Sequence, residues 1–126
     1  MSARTLVFVY GTLKRGCSNH AYLGGQIYVG DASTVPGFSL YELDGYPGMV
    51  ATNSEVSESV TGEVWSVDAA GLGQLDRLEG IAEGLYHREP VPLLPPFNDR
   101  LVQTYLYARS IAGRRKLGGT WMEKPV

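Results

Sequence analysis

LVFVYGTLKRG, residues 6–16, joins a nearly all-apolar run to an abrupt change at a Tyr-Gly pair. The run from Leu6 to Tyr10 predicts a β-strand that is buried on both faces. Gly11 permits a positive φ and a close approach of the backbone, so the amides of Gly11, Thr12 and Leu13 can converge on an anion. The alternative is a plain exit from strand to loop, because glycine marks turns in proteins of every kind.

The composition is that of an ordinary globular protein. The 126 residues are 44% hydrophobic and 19% charged, which predicts a single domain over residues 1–126. A formal net charge of −2 supplies no field that would attract nucleic acid or an anionic membrane. One cysteine, Cys17, excludes an internal disulfide and fits a reducing compartment. The N-terminal apolar stretch is too short for a signal peptide, so we expect a cytoplasmic protein.

The rest of the sequence predicts short strands and one main helix. Residues 26–50 contain two or three strands punctuated by Gly and Pro, and residues 59–67 alternate as another strand. LYHREPVPLL and LVQTYLYARS predict two more, separated by the turn residues of PPFNDR. Residues 19–23 predict a single helical turn capped by Asn19. Strands without a βαβ rhythm indicate the α+β class: a small, curled, barrel-like mixed sheet with one main helix.

The main helix is predicted from a change of period after Asp68. Asp68 is a suitable N-cap, and Leu72, Leu75 and Leu78 follow at helical spacing. Gly80 supplies the signal that ends the helix. The apolar stripe predicts that one face of this helix is buried.

Glu79 is the main candidate for chemistry. It follows Leu75 by four residues, so it lies on or beside the buried face of the helix. Partly apolar surroundings disfavour the ionised carboxylate, which raises its pKa toward the range useful for proton transfer. The alternative is a glutamate at the edge of the stripe with its carboxylate in water.

The other polar candidates are weaker. Glu63 shares its strand face with Trp65, and we expect it at a rim that faces solvent. Cys17 and His20 are close in sequence, but a polar loop does not orient a thiolate–imidazole pair. The two histidines, His20 and His87, lack the clustered thiolates or carboxylates of a metal centre, so no metal site is predicted.

Two motifs taken together resemble the gamma-glutamylcyclotransferase-like family. FVYGTLKRG, followed by Asn19-His20, resembles its Tyr-Gly-Ser/Thr-Leu signature and looks most like the gamma-glutamylamine cyclotransferase branch. LDRLEG, followed by GLYHR, resembles the pattern Leu-Asp-x-x-Glu-Gly with a later Gly-x-Tyr. The second motif comes about 65 residues after the first, with the matching strand GEVWSVD before it and YLYARS after it. The resemblance therefore runs from Leu6 to Arg109.

This resemblance implies a compact mixed barrel with a cavity and no cofactor. The implied reaction converts a γ-glutamyl amine or γ-glutamyl amino acid into 5-oxoproline and a free amine. The substrate's own α-amino group attacks its side-chain carbonyl, and Glu79 is the implied general acid/base. The expected partner is thus a small γ-glutamyl molecule. Substrate binding falls, by the same resemblance, to Tyr10, Gly11, Thr12, Leu13 and Tyr86.

Two further interpretations stay open on the sequence. One is a non-catalytic binding domain of the same fold that recognises an amino-acid-like carboxylate. The other is an interaction domain in which GGTWMEKPV is an exposed contact arm anchored by Trp121. The leaving amine and the oligomeric state are not indicated by the sequence.

Overall fold

The protein was analysed as a computed structural model that describes residues 3–52 and 58–122. Strands dominate the described chain, with one short 3-10 helix and one α-helix. In order, the elements are β1 (Arg4–Val9), the 3-10 helix (His20–Leu23), β2 (Ile27–Ser33), β3 (Phe38–Glu42), β4 (Pro47–Ala51), β5 (Thr61–Asp68), α1 (Ala69–Leu78), β6 (Tyr86–Pro90) and β7 (Gln103–Tyr107). The predicted organisation, many short strands with one main helix, is confirmed.

The strands form one mixed sheet in the order β2-β5-β1-β7-β4-β3, with β6 paired to β7. β1 is antiparallel to β5 and parallel to β7, and β4 is also parallel to β7. β2 and β3 end the sheet without pairing with one another in the described chain. The α+β class is confirmed, and the sheet is curled but unclosed.

β1 lies inside the sheet, between β5 and β7, and both of its faces are buried. Successive side chains of a strand point to opposite faces, so Val7 and Val9 belong to one apolar cluster while Phe8 and Tyr10 belong to the other. The prediction of a strand buried on both faces is confirmed, and the strand ends at Val9. Tyr10, the residue after the strand, is still buried, with 6% of its surface exposed.

The predicted caps of α1 are both present. The Asp68 carboxylate accepts a hydrogen bond from the Gly71 amide at 2.7 Å, and Gly80 has a φ of +66° just beyond the helix. Leu75 is fully buried against the core. Glu79 is the C-cap residue, and its amide still donates to the Leu75 carbonyl at 2.9 Å. The end of the helix therefore fixes the main chain of Glu79.

The cap predicted for the first helical turn is wrong. Asn19 occupies the N-cap position of the 3-10 helix, but its side chain makes no capping hydrogen bond. Its amide Nδ2 instead donates to Thr12 Oγ1 at 3.0 Å, and its backbone N–H donates to the Thr12 carbonyl at 2.8 Å. Asn19 ties two parts of one loop together, which a local reading of the sequence does not show.

The C-terminal segment lies along the domain as far as it is described. The Leu117 amide donates to the Leu40 carbonyl, and the Thr61 amide donates to the Gly119 carbonyl, both at 2.8 Å. Trp121 packs against the apolar cluster that contains Phe8. Up to residue 122 the segment is therefore not the projecting arm considered above, and residues 123–126 lie outside the described chain.

No helix in the described parts of the chain combines the length and apolar character needed to cross a membrane.

Candidate active site

A cavity of about 330 Å³ lies where the end of β1, the end of α1 and the start of β6 meet. We call residues 10–13, which follow β1, the mouth loop. All six residues predicted to form the site line this cavity: Glu79, Tyr86 and the four residues of the mouth loop. The remaining lining residues are Phe8, Val9, Ser18, Asn19, Gly45, Tyr46, Pro47, Leu78, Leu85 and Tyr105.

Glu79 is partly buried in this wall. Its removal from water raises the pKa of its carboxyl group from 4.5 to about 7, because the charged form loses hydration in an apolar setting. Among the ion pairs of the described residues, none includes Glu79. A carboxyl group with a pKa near 7 exchanges a proton readily at neutral pH, in either direction.

Tyr10 joins the mouth loop to two strands. Its hydroxyl donates to the Tyr105 carbonyl on β7 at 2.6 Å and accepts from the Met49 amide on β4 at 3.1 Å. Burial, with a smaller effect from Glu79, raises the pKa of Tyr10 far above its usual value, so the phenol is neutral. Because its proton is already donated to the main chain, Tyr10 shapes the cavity through its ring and fixes where the mouth loop begins.

Tyr86 has a similar arrangement on β6. Its hydroxyl donates to the Pro47 carbonyl at 2.8 Å. Burial is the main cause that raises the pKa of Tyr86, and the neighbouring Tyr10 and Glu79 add to it. The charge of Glu79 therefore acts on both tyrosines, which places the three groups in one electrostatic environment.

Of the two properties that glycine allows at position 11, the structure uses the close approach of the backbone. The φ of Gly11 does not lie in the left-handed region. A Cβ atom at this position would lie 2.6 Å from Pro47 Cγ, well inside contact distance. Glycine is required here because the ring of Pro47 packs directly against the backbone of the mouth loop.

Thr12 and Leu13 line the cavity at the centre of a turn. The Gly11 carbonyl accepts from the Lys14 amide at 3.1 Å, which makes a turn with Thr12 and Leu13 at its centre. Among the hydrogen bonds of the described residues, none has the amide of Thr12 or Leu13 as its donor. As at the start of a helix, these first N–H groups are left to bind a ligand or water.

Asp76, which the sequence patterns did not single out, holds the end of α1 beside the cavity. It accepts the Tyr105 hydroxyl at 2.7 Å and forms two hydrogen bonds with Arg88, at 2.9 and 3.2 Å. These contacts hold the last turn of α1 against β6 and β7, three residues before Glu79. The signal was present in the sequence, because Asp76 is the Asp of the LDRLEG motif.

Glu63 is not at a solvent-facing rim, so that expectation is wrong. It is only 7% exposed, and the side chain of Arg15, which follows the mouth loop, lies against it. Arg15 Nε lies 3.0 Å from Glu63 Oε2, and the indole N–H of Trp65 donates to Oε1 at 3.1 Å. Glu63 does not line the cavity that holds Glu79.

The histidine of the same loop has a packing role. His20 Nδ1 lies 3.0 Å from the Leu13 carbonyl, and the imidazole packs edge-on against Trp65 with ring centroids 5.3 Å apart. Within residues 3–52 and 58–122, no three His, Cys, Asp or Glu side chains are grouped so that they could hold a metal ion.

The comparisons with known proteins identify the family. The family described as "Gamma-glutamyl cyclotransferase, AIG2-like" matches residues 7–123, nearly the whole chain. The chain therefore belongs to the gamma-glutamyl cyclotransferase, AIG2-like family. This membership supports an enzyme of the cyclotransferase type.

The relatives span almost the full length of the fold. A protein of Vibrio cholerae is 43% identical over 100 residues, which cover 79% of this chain and 81% of that protein. The Escherichia coli "Gamma-glutamylcyclotransferase family protein YtfP" is 31% identical over 119 residues, covering 94% and 96%. The crystal structure of a uropathogenic E. coli-specific protein superposes with a TM-score of 0.76 at 26% identity, covering 94% of this chain and 92% of that one.

Proposed function

We propose that the protein converts a γ-glutamyl amine into 5-oxoproline and a free amine, with Glu79 as general acid and base. The observation that carries this proposal is the position of Glu79. It is a partly buried carboxyl group with a pKa of about 7, and it lines the same cavity as the mouth loop. A pure carboxylate-binding domain would gain nothing from an acidic group in that position.

Substrate binding rests on the mouth loop in this proposal. The amides of Thr12 and Leu13 bind the α-carboxylate of the γ-glutamyl group or the oxyanion that develops on its carbonyl. Fixed N–H dipoles of this kind need little reorganisation when charge appears. The Thr12 hydroxyl, which accepts from Asn19, keeps its own proton for the ligand. The substrate is thereby folded so that its amine approaches its own side-chain carbonyl.

The chemistry then moves two protons from the α-nitrogen to the leaving nitrogen and needs no added reactant. The α-ammonium group of the substrate, with an ordinary pKa of about 8, gives its first proton to the Glu79 carboxylate. The free amine attacks the γ-carbonyl carbon, and a C–N bond forms as the five-membered ring closes. Protonated Glu79 gives that proton to the departing nitrogen as its bond to the carbon breaks, and the Glu79 carboxylate then takes the second proton from the ring nitrogen, which becomes the lactam N–H, and passes it to the released amine, which leaves as an ammonium. Substrate and products contain the same atoms.

The charges of the cavity wall favour amines over amino acids as the leaving group. Among the residues that the structure describes, the lining contains no Lys, Arg or His, and its one charged side chain is the carboxyl of Glu79. A γ-glutamyl amino acid would bring a second carboxylate into this acidic, partly apolar space without a cation to receive it. Such a like-charge contact is costly. An uncharged alkyl leaving group meets Leu78, Leu85 and the tyrosine rings without that cost.

A matched pair of substrates tests this proposal. γ-Glutamylethylamide and γ-glutamylalanine differ only by one carboxylate on the leaving group. We expect the protein to release 5-oxoproline from the ethylamide with a kcat/KM about tenfold higher or more. A preference for the alanine derivative would contradict the assignment of the leaving group. Ligand-induced stabilisation without any 5-oxoproline, across a panel of γ-glutamyl amines and peptides, would favour the non-catalytic binding domain instead.

A further inference from the structure

We propose that Glu63 and Arg15 form a clamp that positions the mouth loop, and that Glu63 is thereby a positioning residue for substrate binding. This inference rests on the function proposed above, in which the mouth loop binds the γ-glutamyl group. It assigns a role to a buried carboxylate that the proposed chemistry does not use.

The clamp closes the loop at both of its ends. Glu63 on β5 is paired directly with Val9, the last residue of β1. Its carboxylate then accepts the backbone N–H of Arg15 through Oε1 at 3.1 Å and the side-chain Nε of Arg15 through Oε2 at 3.0 Å. The loop of residues 10–14 therefore begins next to Glu63, where β1 ends, and returns to Glu63 at Arg15.

The buried side of the clamp is well satisfied. A buried carboxylate is costly unless it is paired and hydrogen-bonded, and Glu63 receives a third hydrogen bond from the indole N–H of Trp65. Trp65 belongs to the apolar core cluster that also contains Val9 and Leu13. The core thus fixes the position of the carboxylate, and the carboxylate in turn fixes the position of Arg15 and of the loop.

The solvent side of the clamp makes weaker contacts with the same arginine. Arg15 Nη2 lies 2.9 Å from Asp31 and 3.1 Å from the Tyr28 hydroxyl, and the guanidinium lies over the Tyr28 ring at 3.9 Å. The Asp31 side chain is 75% exposed, whereas that of Glu63 is 9% exposed. Exposed ion pairs contribute little, so the contact with Glu63 is the one that positions Arg15.

Neither member of the clamp contacts the proposed substrate site. Glu63 and Arg15 are absent from the cavity lining, and Glu79 lies after α1 and not on the loop. Loosening the clamp therefore displaces the N–H groups that bind substrate while it leaves the base in place. A displacement of this kind raises KM more than it lowers kcat.

The experiment compares Glu63→Gln with Asp31→Asn, which removes the exposed partner of the same arginine. With γ-glutamylethylamide, Glu63→Gln should raise KM about tenfold with kcat within about twofold of the wild type. Asp31→Asn should change neither value. An unchanged KM in Glu63→Gln, or an equal rise in Asp31→Asn, overturns the clamp.

A double-mutant cycle separates positioning from a general loss of stability. Arg15→Gln and Glu63→Gln should raise KM non-additively, so that the double variant is no worse than the poorer single variant. Additive effects overturn the clamp. Binding of 5-oxoproline, measured by calorimetry, gives a second readout that needs no turnover, and it should weaken about tenfold in Glu63→Gln. A wild-type protein that binds 5-oxoproline but releases none from any γ-glutamyl amine overturns the proposed function, whereas equal affinity in both proteins overturns only the clamp.

Discussion

Glu63 and Glu79 are both removed from bulk water, yet their surroundings are opposite. Glu63 receives three N–H groups, two of them from the cationic Arg15. Glu79 has no ion pair among the described residues, and burial raises its pKa to about 7. The first carboxylate is fully compensated and the second is not. The comparison indicates that burial alone does not suit a glutamate to the role of a base, because its charge must also be left without a partner.

The two surroundings follow from where each residue lies in the fold. Glu63 is in the middle of β5, beside a loop that returns over it with an arginine. Glu79 is the C-cap residue of α1 and lines a cavity whose other lining residues are mainly apolar residues and tyrosines. Arg88 on β6 is paired with Asp76, which precedes Glu79 by three residues on α1. Asp76 thus anchors the end of the helix that carries Glu79.

The largest expected effect separates the two glutamates by turnover. Glu79→Gln keeps the shape of the side chain but removes the base, so release of 5-oxoproline should fall about a hundred- to ten-thousandfold. Glu63→Gln should retain kcat within about twofold, because that residue only positions the loop. Initial rates at saturating γ-glutamyl amine measure both. Normal turnover in Glu79→Gln would remove the catalytic role of that residue.

The second expected effect is on stability, because removal of the Glu79 charge should stabilise the folded protein above neutral pH. The folded protein binds the proton of Glu79 more tightly than the unfolded chain does, so its contribution to stability falls as pH rises from 4.5 to about 7. Gln mimics the neutral form at every pH. Glu79→Gln should therefore be more stable than the wild type at pH 8 by up to about 3 kcal/mol, and equal to it near pH 4.

Urea unfolding of the wild type and the two variants at both pH values measures this difference. Glu63→Gln is the matched control and should be less stable than the wild type at pH 8, because the amide cannot accept from Arg15 Nε as a carboxylate does. A Glu79→Gln variant that loses stability at pH 8 would show that the charge of Glu79 is compensated in the folded protein.

The smallest expected effect concerns the part of the cavity wall formed by Gly11 and Pro47. Gly11→Ala places a Cβ atom 2.6 Å from Pro47 Cγ, so the mouth loop or the turn before β4 must shift, and kcat/KM should fall about tenfold. Gly118→Ala is the control, because a Cβ atom there meets nothing within 4 Å. Steady-state kinetics of the two variants decide the point. Equal activity in both would show that the contact with Pro47 does not set the loop.

Much of this fold was predictable from local patterns. The apolar run that ends at Tyr10 predicted a strand buried on both faces, and the core contains it on both sides. Asp68 and Gly80 predicted the two ends of α1, since capping depends only on residues within a turn of the helix end. The spacing of Leu75 and Glu79 placed the glutamate beside the buried face. Each of these predictions rests on interactions between residues close in sequence.

The errors came from contacts between residues far apart in sequence. Glu63 was expected at the rim because its partner, Arg15, precedes it by 48 residues. A close approach was one of the two properties considered for Gly11, but the sequence did not show that its partner is Pro47 on β4. The role of Asp76 depends on Arg88 and Tyr105, which the sheet brings beside it. Strand order sets all three contacts, and periodicity does not report strand order.

The most direct test is the titration of the Glu79 carboxyl group itself. Carbon-detected NMR of glutamate carboxyl resonances, with Glu79→Gln to assign the signal, follows its protonation in the folded protein. The account predicts a midpoint near pH 7. A midpoint near 4.5, the ordinary value for a solvated glutamate, would contradict the claim that the cavity turns this residue into the base.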